Sequence, residues 1–284
     1  MAATRRRLGV HTSIAGGVHL SVERAKELGC TTMQIFSHNP RQWHAGALSE
    51  ESVRQFRKLR KAYDIRPVYV HTSYLINLAA VSSDVLDKSM ALLAQEMDLA
   101  DALGAEYVVL HTGSASQDEP DNARKRAIAS LKEVARRGSW RSRLLLENTA
   151  GERGDISSSM EELAEIVNGA GSGLIGGICI DTCHAFAAGY DLTRADGVAA
   201  LAEEVSRHPG HGALQLIHLN DSKRGLNARV DRHEHIGDGA IGREGLRTFV
   251  NHPAFAGIPL ILETPRKDEE DDRRNLGIVK GFLL

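Results

Sequence analysis

The chain has 284 residues, 42% of them hydrophobic and 25% charged, enough for a sizeable core in one large domain or two modest ones. This balance excludes a disordered chain and a fibrous repeat, and no apolar run reaches the roughly 18 residues of a membrane span. Net charge is −2, from 35 Lys+Arg against 37 Asp+Glu, so any footprint for a nucleic acid has to be local.

Short apolar runs alternate with segments whose apolar residues recur at three and four. In chain order the predicted strand and helix pairs are 8–13 with 18–28, 31–36 with 51–63, 67–71 with 84–103, 107–112 with 121–137, 143–148 with 159–167, 175–182 with 195–207, 213–221 with 243–250, and 259–264 with 271–282. Strand–helix repetition implies parallel crossovers. Eight units in this length fit a closed (β/α)8 TIM barrel, an α/β fold, better than an open doubly wound sheet. No linker interrupts the pattern, so 1–284 reads as a single barrel domain, with 1–7 a flexible N-terminal tail. The charge run KDEEDDRR (267–274) reads as the solvated start of the last helix. The basic N-terminus is followed by no signal core, and Cys30, Cys179 and Cys183 are an odd number in a long chain; both features point to a reducing, cytoplasmic setting.

Barrel enzymes place their chemistry at the C-terminal ends of the strands. Those ends carry His11, His71, His111, Glu147, Asp181 with His184 just beyond, His218 and Glu263, and the loop after strand seven adds Asp231 and His233. A rim about 15 Å across crowds these groups, and uncompensated carboxylates at that density repel one another and titrate upward. Bound cations resolve the conflict. Imidazole and carboxylate ligands without thiolate suit zinc, with manganese or iron as alternatives. At about three protein ligands per ion, the set serves up to three ions if one carboxylate bridges. Cys179 shares the strand parity of Asp181 and reads as interior packing one layer lower, not as a thiolate ligand.

The stretches HTSIAGG (11–17), NPRQW (39–43), VHTSYLINLA (70–79), VLHTG (109–113), LLENTAG (145–151), GICIDTCHAFAAGYD (177–191), IHLNDSK (217–223), DRHEHIGDGAIG (231–242) and ILETP (261–265) span the chain. In this order they resemble the endonuclease IV family of apurinic/apyrimidinic endonucleases. The resemblance implies a (β/α)8 barrel with a trinuclear zinc centre. It implies His71, His111 and Glu147 as ligands of one Zn2+, Glu147 bridging to a second held also by Asp181, His218 and Glu263, and His184, Asp231 and His233 as ligands of the third. Mn2+ is compatible with one or more of these sites.

The implied activity is hydrolysis of the phosphodiester bond 5′ to an abasic site in double-stranded DNA, leaving a 3′-hydroxyl and a 5′-deoxyribose phosphate, together with removal of 3′-blocking groups. Glu147 is the catalytic carboxylate, orienting or deprotonating the attacking water. Arg41 and Gln42 are similar to the family's wedge into the base stack, Tyr74 to a tyrosine inserted at the lesion, and Trp43 is expected to anchor the wedge loop by packing. Lys223, Arg229 and Arg232 are expected on the DNA backbone, with Arg153, Arg224 and Arg266 nearby. His11, Asn148, Asn220, Asp221 and Ser222 are expected to hold the ligands in place. The partner is duplex DNA with no membrane, and a monomer suits one lesion.

Two other readings share part of this pattern. A divalent-metal sugar isomerase or epimerase shares barrel and rim but needs one or two metals, which leaves His184, Asp231, His233 and the RQW segment without work. A damage-binding module that keeps zinc structurally would not need a complete ligand set including Glu147.

Overall fold

The computed structural model describes residues 6–171 and 173–283, in which strands and helices alternate. In chain order they are β1 (Leu8–Val10), α1 (Val18–Glu27), β2 (Met33–Phe36), α2 (Glu50–Ala62), β3 (Val68–His71), α3 (Ser83–Leu103), β4 (Tyr107–Leu110), α4 (Pro120–Arg137), β5 (Arg143–Glu147) and α5 (Met160–Ala170). There follow β6 (Ile175–Asp181), α6 (Thr182–Ala188), α7 (Ala195–Arg207), β7 (Leu214–His218), β8 (Asp221–Ser222), β9 (His233–Glu234), α8 (Gly242–Asn251), β10 (Leu260–Leu262) and α9 (Glu269–Phe282). Eight strands pair in parallel in the order β1-β10-β7-β6-β5-β4-β3-β2, and a parallel bridge between His11 and Gln34 joins β1 to β2. The expected (β/α)8 barrel is therefore formed, and β8 and β9 make a separate two-stranded antiparallel hairpin.

Alternation along the strands sorts side chains into two cores. Val68, Val70, Val108, Leu110, Leu144, Leu146, Ile178 and Ile180 belong to the large outer core shared with the helices. Tyr69, Val109, Leu145, Cys179, Leu216 and Ile261 form a second buried cluster, which fills the barrel interior. Two residues further along the same six strands come His71, His111, Glu147, Asp181, His218 and Glu263. An apolar plug thus supports a polar layer directly above it. The close approach of β1 to the chain entering β2 depends on Gly9, where a Cβ would stand 1.9 Å from the Thr32 carbonyl oxygen.

Local signals set the helix starts. Ser49 and Ser82 accept from backbone N–H groups at the head of α2 and α3, and Ser159 with Glu162 forms a reciprocal capping box on α5. The run 267–274 does open α9: Asp268 caps it and four acidic residues occupy its first turn, where the helix dipole favours negative charge. Of the expected tail 1–7, residues 1–5 lie outside the described residues. Arg6 donates to the carbonyls of Ile258, Val250 and Phe255, and Arg7 pairs with Asp64 at 2.9 Å, so these two belong to the fold. Among the described residues no helix is long and apolar enough to cross a membrane.

Leu145, fully buried in the plug, is the direct test of this packing. Leu145→Ala is expected to cost about 2–5 kcal/mol in denaturant unfolding, and a loss under about 1 kcal/mol would mean the interior is not close-packed.

Candidate metal centre

Glu147, at the end of β5, has no exposed surface. Four imidazoles face its carboxylate: His71 Nε2 at 3.5 Å and His111 Nε2 at 3.1 Å from Oε2, and His184 Nδ1 at 3.2 Å and His218 Nδ1 at 3.1 Å from Oε1. His218 Nδ1 also lies 3.1 Å from Glu263 Oε2. On the other side, Asp231 is 3.2 Å from His184 Nε2 and 3.3 Å from His233 Nε2, and His233 Nε2 is 3.5 Å from Asp181 Oδ2.

The nine expected ligand positions fall into three groups whose ligand atoms lie within 4.8 Å of one another: His71, His111 and Glu147; Glu147, Asp181, His218 and Glu263; and His184, Asp231 and His233; two further groups by the same distance bring in thiols, Cys179 with Glu147 and His218, and Cys183 with Asp181 and His233. The grouping coincides with the one the family resemblance implies.

Local structure aims these atoms. Asp181 ends β6 and caps α6, its Oδ1 accepting from His184 N at 2.9 Å, so one carboxylate both starts the helix and fixes the ring three residues on. Asp231 and His233 reach the rim because β9 pairs back onto β8. Nδ1 of His71, His184 and His233 donates to the carbonyls of Thr72, Asn148 and Glu263 at 2.8, 3.0 and 2.9 Å, in His184 from the same atom that stands 3.2 Å from Glu147 Oε1. A carbonyl only accepts, so Nδ1 carries the proton in each ring and the Nε2 lone pair is left facing inward.

His218 is turned the other way, Nε2 donating to Gln34 Oε1 at 2.8 Å. Glu147 Oε2, His184 Nε2 and His233 Nε2 are buried without a hydrogen-bond partner among the described residues, and all three look into the groups. Orphaned inward-facing acceptors are the donor set a divalent metal requires.

The expected supporting residues divide. Asn220 donates to Asp181 Oδ2 at 2.6 Å and accepts from Glu263 N at 2.8 Å, Asn148 accepts from Asp181 N at 2.8 Å, and His11 stands 3.4 Å from Glu263 Oε1. Asp221 instead turns its carboxylate to backbone N–H groups of Gly237, Gly239, Ile241 and Gly242, and Ser222 Oγ donates to Arg224 O. These two brace the loop behind the site and not the ligands themselves. Gln34, which carries no signal in the sequence, bonds His218 and donates to Glu263 Oε1 at 2.6 Å.

Around the rim, Arg41 and Gln42 are exposed, as is Tyr74 at 69%, its ring edge-on to Phe36. Trp43 is 39% exposed, which corrects its expected role as a packed anchor. Lys223, Arg229 and Arg232 are exposed on the loop between β8 and β9, Lys223 lying 3.8 Å from Glu234. Arg153 and Arg224 are exposed as well, whereas Arg266 is committed to Asp272 at 3.1 Å. Cys179 sits in the plug as expected, and burial pushes its thiol and that of Cys183 up to about 12.

A sequence-family model described as xylose isomerase-like TIM barrel matches residues 22–281. A probable endonuclease 4 from Trichlorobacter lovleyi is 41% identical over 277 residues, covering 97% of this chain and 99% of the relative. The crystal structure of endonuclease IV from Thermus thermophilus superposes with a TM-score of 0.86 at 41% identity, over 97% of this chain and 98% of that one. A D-tagatose 3-epimerase-like protein reaches a TM-score of 0.73 at 20% identity, over 97% of this chain and 96% of that one, a likeness of fold alone.

Without metal, protons do the compensating. Burial opposes charge on His71 and His184, yet Glu147 for the first and Asp181, Asp231 and Glu147 for the second hold both imidazoliums above the ordinary 6.5. Burial likewise opposes Glu147, but His218 and His111 hold it well below 4.5, and His184 and His233 bring Asp231 to about 2. Raised imidazoles stabilise below pH 6.5 and lose that contribution as pH rises through their folded values; lowered carboxylates contribute above 4.5 and lose it on acidification. Metal-stripped protein is therefore expected to lose Tm as pH rises above the ordinary imidazole value of 6.5, and added divalent metal to remove the slope. A slope unchanged by metal would contradict cation binding at these groups.

Proposed function

The chain belongs to the endonuclease IV family, and from that premise we propose that it hydrolyses DNA on the 5′ side of abasic sites, leaving a 3′-hydroxyl and a 5′-deoxyribose phosphate, and clears blocked 3′ ends, with three zinc ions at the rim. The observation that carries this reading is the separation of nine imidazoles and carboxylates into three groups that meet at Glu147 and Asp181. His71, His111 and Glu147 would hold one ion, Glu147, Asp181, His218 and Glu263 a second, and His184, Asp231 and His233 a third. Bound there, zinc supplies Lewis acidity at the phosphate oxygens and a nucleophile at neutral pH. A sugar isomerase or epimerase has no use for the third group or for exposed Arg41 and Gln42.

The chain's own residues supply position and proton handling. Glu147, fully buried and shared between the first and second groups, is the carboxylate that orients the attacking water. Gln34 and Asn220 keep His218, Glu263 and Asp181 in register, Gln34 by bonding His218 Nε2 and Glu263 Oε1 and Asn220 by bonding Asp181 Oδ2. His71, His111, His184, Asp231, His233 and Glu263 line a cleft of about 340 Å³ together with Tyr74, room for one extruded sugar-phosphate. An abasic nucleotide has lost stacking and pairing, so turning it out costs less than turning out an intact one. Arg41 and Gln42 fill the gap left in the stack, Tyr74 lies against the lesion, and Lys223, Arg229 and Arg232 neutralise backbone phosphates.

A duplex with one stable abasic analogue is expected to be nicked immediately 5′ to the lesion, leaving a 3′-hydroxyl, and a strong chelator should abolish the cut. No cut by protein holding metal would remove the nuclease reading, with ketose–aldose interconversion the next assay. Glu147→Gln is expected to lower incision by at least about 1,000-fold with abasic-duplex affinity largely kept; affinity falling in step would make Glu147 a builder of the centre only.

Arg41→Ala and Tyr74→Ala should each cut the preference for abasic over intact duplex by about tenfold while the chemical step changes little. Unchanged preference would take both residues out of lesion recognition.

A further inference from the structure

A carboxylate outside the metal centre is buried where two rim loops meet. Glu96, on α3, is 1% exposed, and neither the ligands nor the proton path uses it. Its Oε1 accepts from His38 Nε2 at 2.7 Å and from Ser73 N at 2.9 Å. His38 lies just before Arg41 and Gln42, and Ser73 just before Tyr74. Ser73 Oγ donates to Pro40 O at 2.6 Å, tying the loops to each other. The neighbouring side chain, Gln95, accepts from Ala45 N at 3.1 Å and so holds the far end of the Arg41 loop. One turn of α3 thus grips the start and end of one loop and the base of the other.

Taking a carboxylate and an imidazole out of water is costly, and a well-packed apolar pair of the same volume would fill this space at least as stably. What the polar pair adds is a defined geometry: two donors from separate loops converge on one oxygen, which fixes their spacing. We propose that Glu96 is a positioning residue for lesion recognition, setting Arg41 and Gln42 against Tyr74 so that both loops meet the DNA preorganised. This rests on the reading of those three residues as DNA contacts. The gain lies in ordering that need not be done when DNA binds, so its loss falls on binding and not on the chemical step.

The test is steady-state cleavage of a duplex with a single abasic site by the metal-loaded enzyme, with Glu96→Ala and Glu96→Gln beside Arg41→Ala and Tyr74→Ala, and with metal content and Tm recorded for each. Glu96→Ala is expected to raise KM about tenfold with kcat within about twofold and metal content unchanged. Glu96→Gln, which keeps an oxygen for both donors, should restore most of the KM. A KM unchanged in Glu96→Ala while Arg41→Ala and Tyr74→Ala raise it overturns this proposal and leaves the DNA contacts standing. Flat responses from Arg41→Ala and Tyr74→Ala remove the contacts and the proposal together. Loss of metal or of kcat in Glu96→Ala also overturns it, because the residue would then support the centre. If Glu96→Ala is too unstable to purify, Ser73→Ala decides: it keeps the backbone bond to Glu96 and deletes the hydroxyl's bonds to Pro40 O and Leu75 N, a KM rise of about threefold is expected, and no rise overturns the proposal.

Discussion

A carboxylate with no contact to water has to be compensated on the spot, and Glu147 has four imidazoles within 3.5 Å to do it. The arrangement makes sense only with additional positive charge, whether protons on the rings or metal ions among them. Around that requirement the remaining polar contacts fall into order. Backbone carbonyls of Thr72, Asn148 and Glu263 fix three ring orientations, Gln34 fixes a fourth, and Asn220 joins Asp181 to the backbone of Glu263. The contacts to His71 and His233 come from the side of the ring turned away from its group, which leaves the inward-facing Nε2 free.

The same strands that build the core build the centre. Tyr69, Val109, Leu145, Cys179, Leu216 and Ile261 plug the barrel, and the ligands come two residues later on each strand. A shift of one residue on any strand would put an apolar side chain among the ligands and a charged one against the helices. One register therefore serves both the apolar plug and the polar layer above it.

Much of this is legible in the chain. Strand periods and polar strand ends indicate the barrel and its active face, because buried parallel strands leave little room for polar residues elsewhere. What escapes has physical reasons. The helix α6 is seven residues with six of them buried, so it lacks the polar face by which amphipathic helices are recognised, and its first signal, Asp181, reads in the sequence only as a ligand. The strand expected at 213–221 stops at His218, since Asp221 and Ser222 peel away to pair with His233 and Glu234 in strands too short to leave a pattern. Gln34 is a lone glutamine in an apolar run, and His38 meets Glu96 across 58 positions; neither has a local motif. Asp221 is expected in the right neighbourhood but for the wrong task, because strand position locates a carboxylate and does not tell which way it turns.

The strand order also dictates a schedule. β10 lies between β1 and β7, so the first strand of the barrel finds one of its two neighbours only when the last has been made. Glu263, which stands just past β10, arrives with it. On the ribosome, the emerging chain carries most of the ligands through synthesis with the ring still open and the second group of ligands incomplete. The strand that closes the ring is thus the one that brings the last member of the second group into place.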